Sequence, residues 1–277
     1  MNEHPSEAPV PLRPDETIGD AVQSRWHTRA GRTLASVVRR SRDWFAADVV
    51  LTSMLVSSLV VLSLVVWGTG ELYRGVKDAN GLAGLDQPVL DWLVAIRTPP
   101  ADAAVTSFTH VGGPRAQPLL LAPVAAFLAW RWRSWTPPVL CALSYAGADI
   151  LTRFGKDLTG RARPPVEAAV PPFEVTPSFP SGHALFAVVV AGIVAYLLLH
   201  WFRTKAARVA CLVGSIAYAA AMGLSRVYLG HHWLTDVVAG WLLGLGWVWV
   251  LATVHRLWLT ARRRHGEPRF GRLTVPR

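Results

Sequence analysis

The chain has 277 residues, of which 52% are hydrophobic and only 17% are charged, and its formal net charge is +10. The charges fall between apolar stretches, several of which approach the roughly 20 residues that a helix needs to cross a bilayer. This pattern argues against two soluble domains and predicts one membrane domain with polar tails. The positive charge is typical of cytoplasmic anchoring, and without any nucleic-acid-binding motif we expect no nucleic acid as partner.

The first 45 residues are predicted to form a basic cytoplasmic tail. Residues 1 to about 20 are polar and rich in proline, which is typical of disorder. Residues 20–43 are rich in arginine with interspersed apolar residues, and either an interfacial amphipathic helix or a solvated basic tail would fit them. This polar region is longer than that of an ordinary secretory signal, so we expect the first apolar run to be retained as a span.

Six apolar runs predict an all-α bundle of six transmembrane helices within residues 46–255. The runs are Ala46–Trp67, Ala116–Trp130, Pro137–Thr152, His183–Trp201, Ala207–Leu224 and Trp233–His255. Residues 68–115 are predicted to form an extracytoplasmic loop with helical portions, including an amphipathic piece at Leu90–Ile96. Residues 153–182 are predicted to form a polar, proline-rich loop, and residues 256–277 a second basic tail.

The distribution of Lys and Arg predicts the orientation of this bundle. With both termini in the cytoplasm, 19 of the 28 Lys and Arg residues lie on the cytoplasmic side, as the positive-inside rule requires. The polar clusters described next then fall together on the extracytoplasmic side. If the number of spans were wrong by one, the clusters would be divided between the two sides of the membrane.

Three polar residues within the predicted spans have simple interpretations. Cys141 and Cys211 are expected to be small buried hydrophobes, since two cysteines do not suggest a disulfide framework or a metal site. Asp149 is a carboxylate inside the third predicted span, and it is expected to pair with Arg153 four residues later.

Three short polar clusters carry the candidate chemistry. They contain cations, two histidines and a carboxylate, which are the groups needed to hold a phosphate, attack its phosphorus and protonate the leaving oxygen. The candidate residues are Lys156, Arg163, Ser181, Gly182, His183, Arg226, His232 and Asp236.

Five of these candidates are suited to binding phosphate. Lys156, Arg163 and Arg226 would place positive charge around the phosphate oxygens. Ser181 and the backbone N–H of Gly182 lie where the fourth span begins, and a helix N-terminus attracts anions. Each cation alone would also fit an interfacial residue that reaches lipid headgroups, and Ser181 would also fit a simple helix N-cap.

The remaining candidates are suited to covalent and acid–base catalysis. His232 and Asp236 are four residues apart and share a helical face, so Asp236 can accept a hydrogen bond from one ring nitrogen while the other attacks. His231 has Thr235 at the same offset, so we assign the nucleophile to His232. His183 is placed to act as general acid and then as base for water. The alternative is a His–Asp pair that only fastens two helices.

The three clusters together closely resemble the signatures of the type 2 phosphatidic acid phosphatase superfamily, a family of integral-membrane lipid phosphatases. The matching stretches are Lys156 to Pro164, Pro180 to His183, and Ser225-Arg226 with His232 and Asp236. All three signatures are complete and in order, and the resemblance extends over about residues 46–255.

The resemblance implies a role for each candidate residue. His232 would form a phosphohistidine, Asp236 would orient it, and His183 would protonate the leaving group. The phosphate would be bound by Lys156, Arg163, Ser181, Gly182 and Arg226. The family works without a metal, so the resemblance predicts no metal and no other cofactor.

The sequence therefore predicts a multi-pass lipid phosphatase of the cytoplasmic membrane with its active site on the outer face. The expected substrates are polyprenyl pyrophosphate, phosphatidylglycerol phosphate or phosphatidic acid, and the breadth of the family favours the first. Two alternatives stay open. One is a phosphotransferase that passes the phosphoryl group to an acceptor hydroxyl. The other is a non-catalytic lipid-binding or transport protein, which is disfavoured because every catalytic position is filled.

Overall fold

The structure is a computed structural model that describes residues 17–18, 21–22 and 45–264. It is all-α apart from two-residue strands, β1 (Thr17–Ile18) and β2 (Ala21–Val22), which pair antiparallel. The helices of the described residues are α1 Phe45–Lys77, α2 Asp86–Ala95, α3 Pro99–Val111, α4 Gln117–Trp132, α5 Thr136–Thr159, α6 Gly182–Leu199, α7 Lys205–Tyr228 and α8 Leu234–Arg264. Short 3-10 helices cover Gly81–Leu85 and Val166–Ala168. Apart from β2, the predicted interfacial helix at residues 20–43 lies outside the described residues.

Within the described residues, four helices are long and apolar enough to cross a bilayer, which makes the chain a multi-pass membrane protein. Their candidate spans are Thr52–Lys77, Gly182–Leu199, Lys205–Tyr228 and Leu234–Thr260, and they match the first, fourth, fifth and sixth predicted spans. The predicted second and third spans are helices α4 and α5. Because α4 has only 16 residues, the count of six spans stays a prediction.

Helices α1, α5, α7 and α8 extend beyond the predicted spans. The first apolar run ends at Trp67, but α1 continues to Lys77. It passes through Gly68, which packs toward Leu242 of α8. A glycine inside a helix costs only about 1 kcal/mol, so packing against α8 is sufficient to keep the helix intact.

The loop predicted at residues 153–182 is also shorter than expected, because α5 continues to Thr159. The helix ends at Gly160, whose φ of 57° is the left-handed conformation that commonly terminates helices. Lys156 is therefore part of the last turn of α5. The predicted amphipathic piece at Leu90–Ile96 corresponds to α2, and the predicted pair of Asp149 and Arg153 is present at 2.8 Å.

Helix α6 is the centre of the bundle, where it packs against α4, α5, α7 and α8. It is apolar on all sides, as a helix surrounded by others must be. Buried core residues around it include Leu121, Leu128, Trp132, Leu140, Cys141, Ile193 and Leu197. Cys141 is buried as predicted, whereas Cys211 is half-buried, and both are free thiols.

Consecutive packing of α5 to α8 brings the C-terminal ends of α5 and α7 to the N-terminal ends of α6 and α8. Helices α6 and α8 approach closely at Gly240, where a Cβ would lie 2.6 Å from the carbonyl oxygen of Ser181. At the same crossing, the backbone N–H of Ser181 donates to the carbonyl oxygen of Asp236 at 3.0 Å. Two of the predicted polar clusters are thereby fixed side by side.

Candidate active site

All eight predicted site residues lie at this end of the bundle. Lys156 and Arg226 are in the last turns of α5 and α7. Ser181 is the N-cap of α6, with Gly182 and His183 as the first residues of that helix. The other members are Arg163 in the loop after α5, His232 in the turn between α7 and α8, and Asp236 in the first turn of α8.

His232 is almost fully buried and has a different partner on each ring nitrogen. Nδ1 lies 3.4 Å from Oδ2 of Asp236 and 3.3 Å from Oγ of Ser178. Nε2 lies 3.2 Å from Nη1 of Arg163. A guanidinium only donates hydrogen bonds, so Nε2 carries the lone pair and Nδ1 carries the proton. This is the tautomer that a nucleophile acting through Nε2 needs.

The surroundings of His232 also favour its neutral form. Burial, followed by the positive charge of Arg163, lowers the pKa of His232 well below the usual value of histidine. The imidazole is consequently neutral at pH 7, with one proton on Nδ1 and a free lone pair on Nε2.

Asp236 is completely buried and receives several hydrogen bonds. Ser178 Oγ donates to Oδ2, and so does the backbone N–H of Trp233 at 2.9 Å. Arg161 donates from Nη1 to Oδ1. The carboxylate is thus held in one orientation beside His232.

Arg161 links Asp236 to a second buried carboxylate, Asp86, at the start of α2. Its Nη2 donates to Oδ2 of Asp86 at 2.7 Å. Thr235 also joins this group, because its backbone N–H and its hydroxyl donate to Asp86 at 2.9 and 2.7 Å. The side chains of Asp86 and Arg161 are only 7% and 11% exposed, so the ion pairs are shielded from solvent.

The three predicted cations approach the site from three different segments. Arg163 donates to the carbonyl oxygens of Thr176 and His231 at 2.7 and 2.5 Å. Lys156 donates to the hydroxyl of Thr176 at 3.1 Å and to the carbonyl oxygen of Pro177. These contacts fix Arg163 next to His232 and hold Lys156 against the loop that precedes α6.

Glu174, in the loop before α6, bridges two of these cations. Its Oε2 lies 2.7 Å from Nη2 of Arg163, and its Oε1 accepts from Nη2 of Arg226. Burial would raise the pKa of Glu174, but the positive charges of Arg226 and Arg163 outweigh it and lower the pKa to about 2. Glu174 is therefore an anion at every working pH.

His183 is the second predicted catalytic histidine. Its Nε2 lies against Gly113, between α3 and α4, where a Cβ would come within 2.9 Å of the ring. His183 lies two residues after Ser181, whose backbone N–H is bonded to the carbonyl oxygen of Asp236, so both predicted catalytic histidines lie at the same end of the bundle.

The other predicted positions have simpler surroundings. Nε2 of His231 donates to the carbonyl oxygen of Val170 at 2.6 Å, so this nitrogen faces the loop. Ser181 Oγ accepts from the backbone N–H of Ala184 at 3.5 Å, as an N-cap does. Gly182 packs against Thr152, with 3.1 Å between its ideal Cβ position and Cγ2.

Four polar residues of this site were missing from the sequence prediction: Asp86, Arg161, Glu174 and Ser178. Arg161 is part of the first signature, but it was not given a role. Asp86 lies in the long segment between the first two predicted spans, and nothing in its neighbourhood indicates its buried position. Glu174 and Ser178 belong to a proline-rich loop that has no periodic pattern. Among the described residues, no group of three or more His, Cys, Asp and Glu side chains is placed to bind a metal ion.

Comparison with known proteins agrees with the signatures. The family model described as "PAP2 superfamily" matches residues 137–259. The chain is 30% identical over 168 residues to phosphatidylglycerophosphatase B of Bacillus subtilis (strain 168), which covers 60% of this chain and 81% of that protein. It is 33% identical over 133 residues to undecaprenyl-diphosphatase of Sulfolobus acidocaldarius, covering 46% of this chain and 58% of that protein.

A solved structure shares the fold. It is the crystal structure of the first transmembrane PAP2 type phosphatidylglycerolphosphate phosphatase from Bacillus subtilis, with a TM-score of 0.57 and 24% sequence identity. The match covers 80% of this chain and 98% of the solved chain. The signatures, the family model and these relatives agree, and the chain belongs to the PAP2 superfamily.

Proposed function

We propose that this protein is a membrane phosphatase that hydrolyses a lipid phosphomonoester or pyrophosphate through a phosphohistidine on His232. The observation that carries the proposal is the environment of that imidazole. Its Nε2 lone pair faces Arg163 at 3.2 Å, and its Nδ1 is backed by Ser178 and the buried carboxylate of Asp236. A histidine that only fastened two helices would not need a guanidinium directed at its free nitrogen.

In the first step, Nε2 of His232 attacks phosphorus as the bond from phosphorus to the leaving oxygen breaks; this oxygen is the ester oxygen of a phosphomonoester or the bridging oxygen of a pyrophosphate. His183 donates a proton to that oxygen, and a lipid alcohol or, from a pyrophosphate, a lipid monophosphate leaves. Lys156, Arg163 and Arg226 stabilise the charge on the remaining phosphoryl oxygens. The ring becomes positively charged, and Asp236 stabilises this charge through the Nδ1 side.

In the second step, water attacks the phosphohistidine. His183, now neutral, takes a proton from the water, inorganic phosphate leaves, and His232 returns to its neutral form. Ser181 and the backbone N–H of Gly182 at the start of α6 add hydrogen-bond donors and a favourable helix dipole for the anion.

The proposed topology has six spans, with α4 and α5 as the second and third, in the cytoplasmic membrane. Both termini are cytoplasmic, which agrees with the excess of Lys and Arg in the segments assigned to that side. The active site is then extracytoplasmic. The residues proposed to bind phosphate lie at one end of the helices, so the phosphoryl group sits at the membrane surface while the lipid tail stays in the bilayer.

The names of the relatives support two substrate classes. One relative is a phosphatidylglycerophosphatase and another is an undecaprenyl-diphosphatase. A panel of phosphate-release assays on the purified protein in detergent would choose between them. The panel contains a prenyl diphosphate, phosphatidylglycerol phosphate, phosphatidic acid and a soluble sugar phosphate. Lipid substrates should release phosphate faster than the sugar phosphate, and no release from any lipid would contradict the proposal.

The alternative of a phosphotransferase uses the same first step but a different acceptor. Release of inorganic phosphate should be little changed when acceptor alcohols are added to a phosphatase. A loss of free phosphate matched by a phosphorylated alcohol would instead favour the transferase.

Activity should persist in excess chelator, because the proposed steps use only side chains of this chain and the resemblance implies a metal-free family. The measurement is phosphate release from phosphatidic acid after dialysis against chelator, with and without added divalent cations. If chelation abolished turnover and a cation restored it, the metal-free mechanism would be wrong.

Asp86→Asn should lower kcat by about 10- to 100-fold. This range is taken by analogy from metal sites, where it is the usual cost of removing a residue that hydrogen-bonds to a metal ligand. Asp86 offsets the charge of Arg161, which would otherwise neutralise Asp236 and weaken its support of the phosphohistidine. KM should change little, since Asp86 does not touch the phosphate-binding cations. Asp91→Asn is the matched control, because Asp91 is on the same helix and exposed.

A double variant separates this electrostatic role from a purely structural one. Asp86→Asn combined with Arg161→Gln removes both charges, and it should recover part of the kcat lost in Asp86→Asn alone. Losses that simply add in the double variant would mean that Asp86 only holds the fold together.

A further inference from the structure

A carboxylate of the chain lies where the proposed function places the substrate phosphate. Glu174 bridges Arg163 and Arg226, the two guanidinium groups assigned to the phosphoryl oxygens. The same Arg163 lies 3.2 Å from Nε2 of His232, so the carboxylate is held beside the nucleophile. A phosphate positioned for attack must bind these guanidinium groups, and it must therefore displace Glu174.

Arg226 has a hydrogen-bond donor that Glu174 leaves unused. Arg226 is only 2% exposed, and within the described part of the chain its buried Nε has no hydrogen-bond partner. Glu174 thus satisfies only part of the donor capacity of this side chain. A phosphate has more acceptor oxygens than a carboxylate, and it can use both the Nη2 and the Nε donors.

The segment that carries Glu174, residues 171–175, makes few contacts with the rest of the described chain. No backbone hydrogen bond is found for residues 171–175, and the side chain of Glu174 makes the only hydrogen bonds of this segment among the described residues. Its neighbours Phe173 and Val175 are 55% and 98% exposed. Displacing Glu174 therefore breaks two ion pairs and disturbs no packed core.

The charge of the competing group matters in a membrane, because the surrounding lipids are themselves phosphates. A phosphodiester headgroup carries one negative charge, so exchanging it for Glu174 leaves the charge at the arginines unchanged. A phosphomonoester has a second pKa of about 6 and carries nearly two charges at neutral pH. Phosphomonoesters and pyrophosphates therefore gain electrostatic energy in the exchange, whereas phosphodiesters do not.

We propose that Glu174 occupies the phosphate site as an internal competing anion, and that this competition keeps weakly bound phosphodiester lipids out of the site. This inference rests on the proposed function, since it assigns Arg163 and Arg226 to substrate phosphate. Glu174 weakens the binding of every phosphate by the same factor. A dianionic substrate binds the arginines tightly enough to occupy the site at low concentration despite this competition. Phosphodiesters bind less tightly, so the same competition raises their dissociation constants above the level at which they block the site.

The test compares inhibition constants in the purified full-length protein and its variants. Competitive inhibition by inorganic phosphate and by phosphatidylglycerol is measured in neutral detergent with phosphatidic acid as substrate. In Glu174→Gln, both inhibition constants should fall by the same factor, on the order of tenfold, which corresponds to about 1.4 kcal/mol. KM should fall as well, and by more than any change in kcat. Glu167→Gln is the control, an exposed glutamate of the same loop, and its constants should stay within about twofold of wild type.

A vesicle arm tests the consequence in a lipid environment. Raising the mole fraction of phosphatidylglycerol should inhibit Glu174→Gln at compositions that leave the wild type active. Glu174→Asp keeps the charge but shortens the reach to two arginines, so its inhibition constants should lie between those of the wild type and Glu174→Gln. If Glu174→Gln does not fold, the inhibition constants of Glu174→Asp decide the test.

Inhibition constants that stay unchanged or rise in both Glu174 variants would overturn the inference and show that the carboxylate only holds the arginines in place. The proposed function fails in a different way. In that case the wild type releases no phosphate from any lipid, or His232→Ala retains the wild-type rate.

Discussion

His232→Ala should remove nearly all phosphate release, with a loss of about 10⁴- to 10⁶-fold by analogy with the removal of a covalent nucleophile in other hydrolases. The covalent route disappears with the imidazole, and no neighbouring side chain can replace it. His231 is next in sequence, but its Nε2 is hydrogen-bonded to the carbonyl oxygen of Val170. The measurement is phosphate release from the lipid substrate that the wild type prefers.

The control for this variant is His110→Ala, which removes an exposed histidine of α3. Both variants should elute as the wild type does in detergent, and His110→Ala should keep wild-type turnover. Substantial turnover by purified His232→Ala protein would refute the assignment of the nucleophile.

His183→Ala should lower kcat by about 10²- to 10⁴-fold on a lipid phosphomonoester, the usual range for the loss of a general acid–base. The size of the loss should depend on the leaving group. An alkoxide needs a proton as it departs, whereas a phosphate leaving from a pyrophosphate or a phenolate from an aryl phosphate is already a good leaving group. The loss should therefore be smaller for those substrates.

A series of substrates with leaving groups of different acidity measures this dependence. The rate of His183→Ala should rise steeply with leaving-group acidity, while the wild type shows a weaker dependence. An equal loss for alkyl and aryl leaving groups would assign His183 to phosphate binding or to structure, and another group would then have to supply the proton.

The sequence predicted that the candidate residues would lie together, because each signature lies at the end of a helix. The C-terminal ends of α5 and α7 and the N-terminal ends of α6 and α8 must meet in a bundle of consecutive antiparallel helices. Residues more than fifty positions apart, such as Lys156 and His232, were therefore expected to converge. The structure brings them to the same end, and Ser181 and Asp236 are joined by a backbone hydrogen bond.

The ends of the helices, and the residues outside the signatures that hydrogen-bond to them, could not be predicted in the same way. The extension of α1 beyond Trp67 depends on packing against α8, which local propensity does not reveal. Asp86 contacts Arg161 and Thr235 only because α2 folds back onto the start of α8. Glu174 and Ser178 lie in a loop whose path depends on tertiary contacts, including the hydrogen bond from the Ser178 N–H to the carbonyl oxygen of Arg161.

The most direct test of the proposed mechanism is to trap the covalent intermediate on His232. The protein would be mixed with lipid substrate labelled in its phosphate and quenched in base within the first turnover, because phosphohistidine survives base and is hydrolysed in acid. We expect label on the peptide that contains His232, lost on acid treatment and absent from His232→Ala. Stoichiometric turnover with no label on that peptide, or equal labelling of the His232→Ala protein, would contradict the mechanism.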